Sequence, residues 1–503
     1  MRHYDWLAHQ ARMRPGSECW VDLHSERHFT FAEAEDRCAR LASYLARTCD
    51  VVKGDRIAVL TMNSTDMMEI HSACAKLGAI FVPLNWRLAA PEIDYILSDA
   101  DPKVLIYDTA NAETVSHLTV SVAHAIETTG GGGDTAYEHA ISSGDGDHTI
   151  PDLLHSDTWT LLYTSGTTGK PKGAPNTFGM AFINAVNLGP ASEIGPSSKG
   201  VTVLPLFHTG GLNCYATVLL HNGGSSLIMR AFDPGHALRL IEDADVGLTH
   251  FFGVPAIYLF MAQHPEFATT DFSRLIRCGV GGAPTPVPLA QSYIDKGVSL
   301  VQGFGMSETS PLVSMQTLEL GQTKIGSAGR CGLHAELKIV TEEGQDAAAN
   351  EVGELWVRGP NIIKEYWNRP ETKETDWADD WFRTGDAARL DEDGDLWIVD
   401  RWKDMYISGG ENVYPAEVEN TLFALEGVAD GAIVGAPDER WGEVGVAFVV
   451  RAEGSELSED DVIGWFHDKV ARFKIPKQVI FTDVLPRNAT GKVLKRELRE
   501  LLP

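Results

Sequence analysis

The chain has 503 residues, of which 44% are apolar and 22% charged, the composition of a globular protein able to bury a large core. Its formal net charge of −28 excludes a nucleic-acid partner held by bulk charge, and no apolar run approaches the ~20 residues of a membrane helix, so no integral membrane segment is expected. The segment Met1 to Trp6 lacks the apolar stretch of a secretory signal, and the seven cysteines form no C-x-x-C pair, so disulfides and a zinc site are not expected and a reducing, cytoplasmic compartment fits.

Taken in chain order, the early segments alternate between strand and helix patterns. Residues 55–60 read as a buried strand. Ser64, Thr65 and Asp66 can cap the next helix, whose apolar residues Met67, Ile70, Cys74 and Leu77 recur at helical spacing and which Gly78 ends. Residues 79–82 and 103–107 read as further strands, with a helix at 91–98 between them that begins on Pro91. Such βαβ units predict a largely parallel sheet covered by helices. Residues 127–150, rich in Gly, Thr, Ser and Asp, read as a surface loop or weak internal boundary. Residues 159–162 read as a strand. A second boundary falls near Asp400–Arg401, after which the pattern becomes short and mixed. A helix starts at Pro415, strands follow near 429–435 and 444–451, and Ser458 with Asp461 forms a capping box. The fold class expected is therefore a large α/β N-terminal domain, 1–400, with a small α+β C-terminal domain, 401–503. A cleft between them is a natural place for a site.

The most informative stretch is Tyr163-Thr164-Ser165-Gly166-Thr167-Thr168-Gly169-Lys170-Pro171-Lys172-Gly173. Its glycines permit tight turns, while hydroxyls, backbone N–H groups and lysines can wrap a polyphosphate. It is not a Walker A loop, because Pro171 stands where Ser or Thr is needed. Further along come Gly281-Gly282-Ala283-Pro284, Gln302-Gly303-Phe304-Gly305-Met306-Ser307-Glu308-Thr309, Trp381-Phe382-Arg383-Thr384-Gly385-Asp386, and Pro486-Arg487-Asn488-Ala489-Thr490-Gly491-Lys492. In this order and over most of the chain, the motifs resemble the adenylate-forming enzymes, which include acyl-CoA synthetases, aryl-CoA ligases, luciferases and peptide-synthetase adenylation domains.

The resemblance implies the adenylate-forming fold and roles for individual residues. Nucleotide binding falls on Thr164, Ser165, Gly166, Thr167, Thr168, Gly169, Lys172, Gly281, Gly282, Ala283, Gly303, Phe304, Gly305, Met306 and Ser307. Phe304 faces the adenine and Ser307 the α-phosphate, while Glu308 binds Mg²⁺. Asp386 accepts from the ribose hydroxyls, and Arg401 contacts ribose and phosphate. Lys492 bridges carboxylate and phosphate, and Lys403 is the hinge on which the small domain swings. Two departures, Phe304 for a more usual Tyr and Ser307 for a more usual Thr, are mild.

For the second half-reaction, the CoA path falls on Ser408, Gly409, Gly410, Trp441, Phe473 and Lys474. The acyl pocket falls on His208, Gly210, Phe252 and Gly279, with His208 beside the acyl carbonyl, shaping or gating the pocket. Phe251, Phe252, Ile257 and Tyr258 are candidate apolar walls. Acyl specificity is expected from the stretches near 207–214, 251–258, 278–283 and 303–310, and Arg277 is the only Lys or Arg in or directly beside them, which disfavours a dicarboxylate. The expected activity is an AMP-forming acyl-CoA ligase that uses ATP, Mg²⁺ and CoA on a medium- or long-chain fatty acid or an aryl or arylpropenoic acid. A homodimer is compatible with this reading. The alternative is a stand-alone adenylation enzyme that loads a separate carrier protein, with no carrier domain expected after Lys492. A non-catalytic nucleotide binder and a light-emitting oxidase are the remaining readings.

Overall fold

In the computed structural model the residues described are 1–148, 151–164, 170–401, 404–467, 469–488 and 491–502. The apolar run at 55–60 forms strand Arg56–Leu60, and the periodic segment after it forms helix Thr65–Leu77, closed by Gly78 at φ 65°. Ser64 occupies the cap position, but its hydroxyl makes no cap bond. Asp22 Oδ2 instead accepts from Thr65 N at 3.2 Å, so a neighbouring strand supplies the cap.

Among the described residues the first sheet has six strands, in the spatial order His124–Thr128, Val104–Asp108, Arg56–Leu60, Ile80–Pro83, Thr158–Thr164 and Lys172–Thr177. All neighbours are parallel except the last pair, an antiparallel hairpin around the polyphosphate-type motif. The second sheet has nine strands, parallel from Leu300–Gly305 across to Glu18–Asp22 and antiparallel at both edges. Helices Phe31–Thr48 and Thr65–Leu77 bury their apolar faces in a core that takes Trp20 from one sheet and Ile57 and Phe81 from the other.

Residues 127–150 are not simply a loop. Thr135 caps a helix, Ala136–Ser143, whose Tyr137 is fully buried and donates to Glu69 Oε2 at 2.9 Å. Its neighbour Glu138 pairs with Arg27 and Arg37. The helix is only two turns long and polar on its outer side, so composition conceals it.

An antiparallel sheet follows, built from Glu336–Val340, Gly353–Arg358, Trp377–Ala378, Trp381–Leu390 and Leu396–Arg401. A smaller sheet begins at Tyr406–Ser408. Its longest pair, Val428–Asp438 with Gly442–Arg451, is covered by helices Pro415–Leu422 and Glu459–Phe466, the latter carrying the Ser458–Asp461 capping box. The whole is a parallel-rich α/β unit followed by a smaller α+β one. No helix among the described residues is long and apolar enough to cross a membrane.

Candidate active site

In an open parallel sheet, ligands are received beyond the carboxyl ends of the strands. Two such ends meet here. Strand Arg277–Val280 runs into Gly281 and Gly282, the latter at φ 81°, and strand Leu300–Gly305 runs into Met306. The antiparallel sheet faces them with Asp386 and Arg401, and the C-terminal segment inserts Lys492. Gly282, Ala283, Gly303, Phe304, Gly305, Met306, Asp386, Arg401 and Lys492 thus line one cavity of about 430 Å³. Phe304 is half-buried, with core residues such as Val313 and Ala328 behind it. The remaining wall is largely apolar and includes Val254, Leu259, Leu289 and Phe423.

Asp386 and Arg401 are direct cross-strand partners, and Arg401 Nε lies 2.6 Å from Asp386 Oδ1. That carboxylate, with Glu308 further off, raises the arginine's pKa. Lys492 is held by its loop: Asn488 Oδ1 accepts from Lys492 N at 2.9 Å, and Arg487 donates to Gly491 O at 2.6 Å while pairing with Asp430 at 2.6 Å. Gly491 sits at φ 81°, where a Cβ would lie 3.1 Å from Val254 Cγ2, so a side chain there would push the loop off the opposite wall. The Lys492 side chain keeps access to solvent through the cavity. The protein surrounding it, and then the Arg401 guanidinium, lower its pKa from the usual lysine value.

Thr164, Lys172, Gly281, Ser307 and Glu308 are not on the cavity lining itself. Glu308 is buried on a short turn, Ser307–Thr309, just beyond Met306. Its Oε1 accepts from the Tyr366 hydroxyl at 2.8 Å and from Thr164 Oγ1 at 3.5 Å. Both bonds fall on Oε1, so among the described residues Oε2 stays available to another ligand. A hard carboxylate beside a hydroxyl is a donor set that suits Mg²⁺. Lys172 pairs with Asp376 at 3.1 Å and stands 4.8 Å from the centre of the Tyr366 ring. Burial, and then Glu308, push the Tyr366 phenol far up, so it remains a donor. Ser165, Gly166, Thr167, Thr168 and Gly169 lie outside the described residues, as does Lys403.

None of the four predicted acyl-pocket residues lines the cavity. His208 Nδ1 accepts from Gly210 N at 3.2 Å, which places the proton of the neutral ring on Nε2, and burial lowers its pKa to about 4. A Cβ on Gly279 would lie 2.7 Å from Phe252 Cδ2 and 2.8 Å from the Tyr215 oxygen, so the glycine leaves room between two aromatic rings. Tyr215 was missed because the stretch singled out, 207–214, stops one residue short of it. Phe251 and Tyr258 do not line this cavity. Both are fully buried core residues, and Tyr258 donates to Gly279 O at 2.8 Å. Arg277 is paired with Glu193.

The CoA candidates lie apart from the cavity. Gly409 and Gly410 take φ 63° and 89°, and Trp441 packs so closely over Gly409 that a Cβ there would lie 2.7 Å from its ring. Gly409 N also donates to Trp441 O at 2.8 Å. Ser408 is buried, Phe473 packs on the core of the small unit, and Lys474 pairs with Glu417 at 2.7 Å.

Residues 7–367 match the AMP-binding enzyme family, and residues 417–492 match the AMP-binding enzyme C-terminal domain. The chain is 41% identical over 496 residues to a feruloyl-CoA synthase from Amycolatopsis sp, covering 98% of each chain. It is 38% identical over 502 residues to the indoleacetate–CoA ligase of Aromatoleum aromaticum, covering 99% of this chain and 98% of the other. Its fold superposes on ATP-bound MatB from Rhodopseudomonas palustris with a TM-score of 0.91 at 29% identity, covering 99% and 98% of the two chains.

Proposed function

The chain belongs to the AMP-binding enzyme family, and we propose that within it the protein converts an aryl or arylpropenoic acid to its CoA thioester at the cavity around Lys492. It is an AMP-forming acid–thiol ligase that consumes ATP and CoA and uses Mg²⁺. The observation that carries the site assignment is the convergence of Asp386, Arg401 and Lys492, from separate parts of the chain, on one cavity with Gly282, Ala283 and Phe304.

A free carboxylate resists nucleophiles because of its charge and its poor leaving group. Attack of the carboxylate on the α-phosphate expels pyrophosphate and leaves AMP as the new leaving group. Negative charge gathers in that transition state, and stabilising it is the main task of the protein. Lys492 is the bridging cation. Arg401, pinned by Asp386, adds a second positive charge of fixed direction. Phe304 offers a ring face to the adenine, with the Gly282–Ala283 backbone bordering it, and Asp386 accepts from the ribose. Glu308 would hold Mg²⁺, which would supply positive charge against that of the polyphosphate.

The second step brings the CoA thiol to the acyl-adenylate carbonyl, forms the thioester and releases AMP. Its residues are Ser408, Gly409, Gly410, Trp441, Phe473 and Lys474, which lie off the cavity occupied by Lys492. We assign the small domain to residues 401–503, turning about Lys403 to present that face. His208 is neutral at physiological pH and shapes the acyl site rather than acting as a strong base.

For the acid, the feruloyl and indoleacetate names of the two relatives at 41% and 38% identity, ahead of a long-chain-fatty-acid ligase at 36%, and the aromatic pair Phe252–Tyr215, with ring centres 5.4 Å apart beside Gly279, support a flat aryl group. The seven thiols are all unpaired and six are buried, which suits a cytoplasmic enzyme. Steady-state rates with arylpropenoic, arylacetic and fatty acids test the substrate class. Saturation only by fatty acids would overturn the aryl assignment.

A further inference from the structure

Tyr366 stands between the two charged groups that flank the polyphosphate-type motif. Its hydroxyl donates to Glu308 Oε1 at 2.8 Å, and Lys172 Nζ lies 4.8 Å from its ring centre. The ring is buried and meets Trp377 edge-on at 6.0 Å, which restricts its plane. The backbone around it is tied down at both ends. Asn361 Nδ2 donates to Thr309 O and Leu312 O at 2.9 and 2.8 Å, Ile363 N donates to Glu308 O at 2.9 Å, and Trp367 N donates to Gly173 O at 2.8 Å. One segment is therefore stitched to the Glu308 turn and to the hairpin carrying Lys172, with Tyr366 in between.

We propose that Tyr366 is the positioning residue of the metal–polyphosphate site: its hydroxyl fixes the Glu308 carboxylate, and its ring seats the Lys172 ammonium. The proposal rests on the reading of Glu308 as the Mg²⁺ residue. A carboxylate that ligates a metal needs an outer partner to hold its rotamer. A lysine or arginine in that place would neutralise the charge that attracts the ion. A phenol orients the carboxylate and leaves the charge in place. Because the single bond it makes falls on Oε1, Oε2 is left for the ion among the described residues. The electron-rich face of the same ring attracts the Lys172 cation, so one side chain sets both the acidic and the basic side of the phosphate environment.

The test is Mn²⁺ binding in the presence of ATP and the absence of acid, followed by electron paramagnetic resonance, for wild type, Tyr366→Phe and Glu308→Gln. Tyr366→Phe keeps the ring and its Lys172 contact. We expect its Mn²⁺ affinity to fall about 10- to 100-fold with the thermal midpoint unchanged, and Glu308→Gln to fall at least as far. If Glu308→Gln weakens Mn²⁺ binding and Tyr366→Phe does not, the role of Tyr366 is overturned while that of Glu308 stands. If neither variant weakens it, the Glu308 reading fails and this proposal with it. Should Tyr366→Phe melt early, the Mn²⁺ titration is made well below its midpoint, where wild-type affinity overturns the proposal.

Discussion

Asp386 and Arg401 face each other at the same register position of adjacent antiparallel strands, and Arg401 Nε closes on Asp386 Oδ1 at 2.6 Å. The sheet itself sets the spacing of this pair, so both charges are aimed into the cavity before any ligand arrives. Such preorganisation makes fixed charges effective in catalysis.

If Asp386 receives the ribose, Asp386→Ala should raise the KM for ATP by about 10- to 100-fold, the range expected for losing hydrogen bonds to a charged group, about 1.5–3 kcal/mol. The KM for the acid should change far less. A titration of initial rate against ATP at saturating acid checks this.

The lowered pKa of Lys492 predicts an early alkaline limit for adenylation. The bridging role needs the ammonium form. As pH rises through the lowered pKa the charge is lost, so the rate should fall at a pH below that at which an ordinary lysine titrates. The pH profile of pyrophosphate release shows this. Lys492→Arg, which stays charged, should remove that limb while reducing the rate at its maximum.

Gly279→Ala would place a methyl group 2.7 Å from Phe252 and 2.8 Å from the Tyr215 oxygen. The aryl acid should then lose affinity about tenfold or more, the scale of one misplaced methyl group in a specificity pocket. The KM for ATP should hold, since Gly279 lies off the nucleotide cavity. Parallel titrations of acid and ATP separate the two effects.

Acid stability is governed in part by histidines buried in neutral form. Burial lowers His3 to about 4 and His71 to about 3, and each packs on an aromatic ring: His3 on Phe178 and His71 on Trp159, both with ring centres 4.0 Å apart. The folded pKa values lie below the ordinary 6.5, so as pH falls past 6.5 the unfolded chain takes up protons that the folded chain refuses. Stability is full above about pH 6.5. It then falls by up to about 1.4 kcal/mol per pH unit for each histidine until the folded pKa is reached. Thermal midpoints between pH 7 and 4 should drop accordingly, and His71→Gln should flatten that slope.

Much of this was legible in the sequence, and the gaps have physical reasons. Gly78 and the Ser458–Asp461 box were readable because backbone conformation and capping are local. Asp22 as the cap of helix Thr65–Leu77 was not, because it comes from another strand. Phe251 and Phe252 look identical in the sequence, yet they point to opposite faces of strand His250–Gly253, and the first is fully buried while the second is only partly buried. The role of Tyr366 was not legible. Its partner Glu308 is fifty-eight positions away, and no spacing rule connects them.

The central claim is that Lys492 acts in adenylation at this cavity and that CoA is the acceptor. The most direct measurement is pyrophosphate release from ATP against a panel of carboxylic acids, with and without CoA, for wild type and Lys492→Ala. The account predicts release with aryl or arylpropenoic acids, thioester formed only when CoA is present, and a Lys492→Ala enzyme that loses adenylation yet still converts supplied acyl-adenylate. Unchanged pyrophosphate release by Lys492→Ala, or an acyl-adenylate that CoA does not consume, would contradict it.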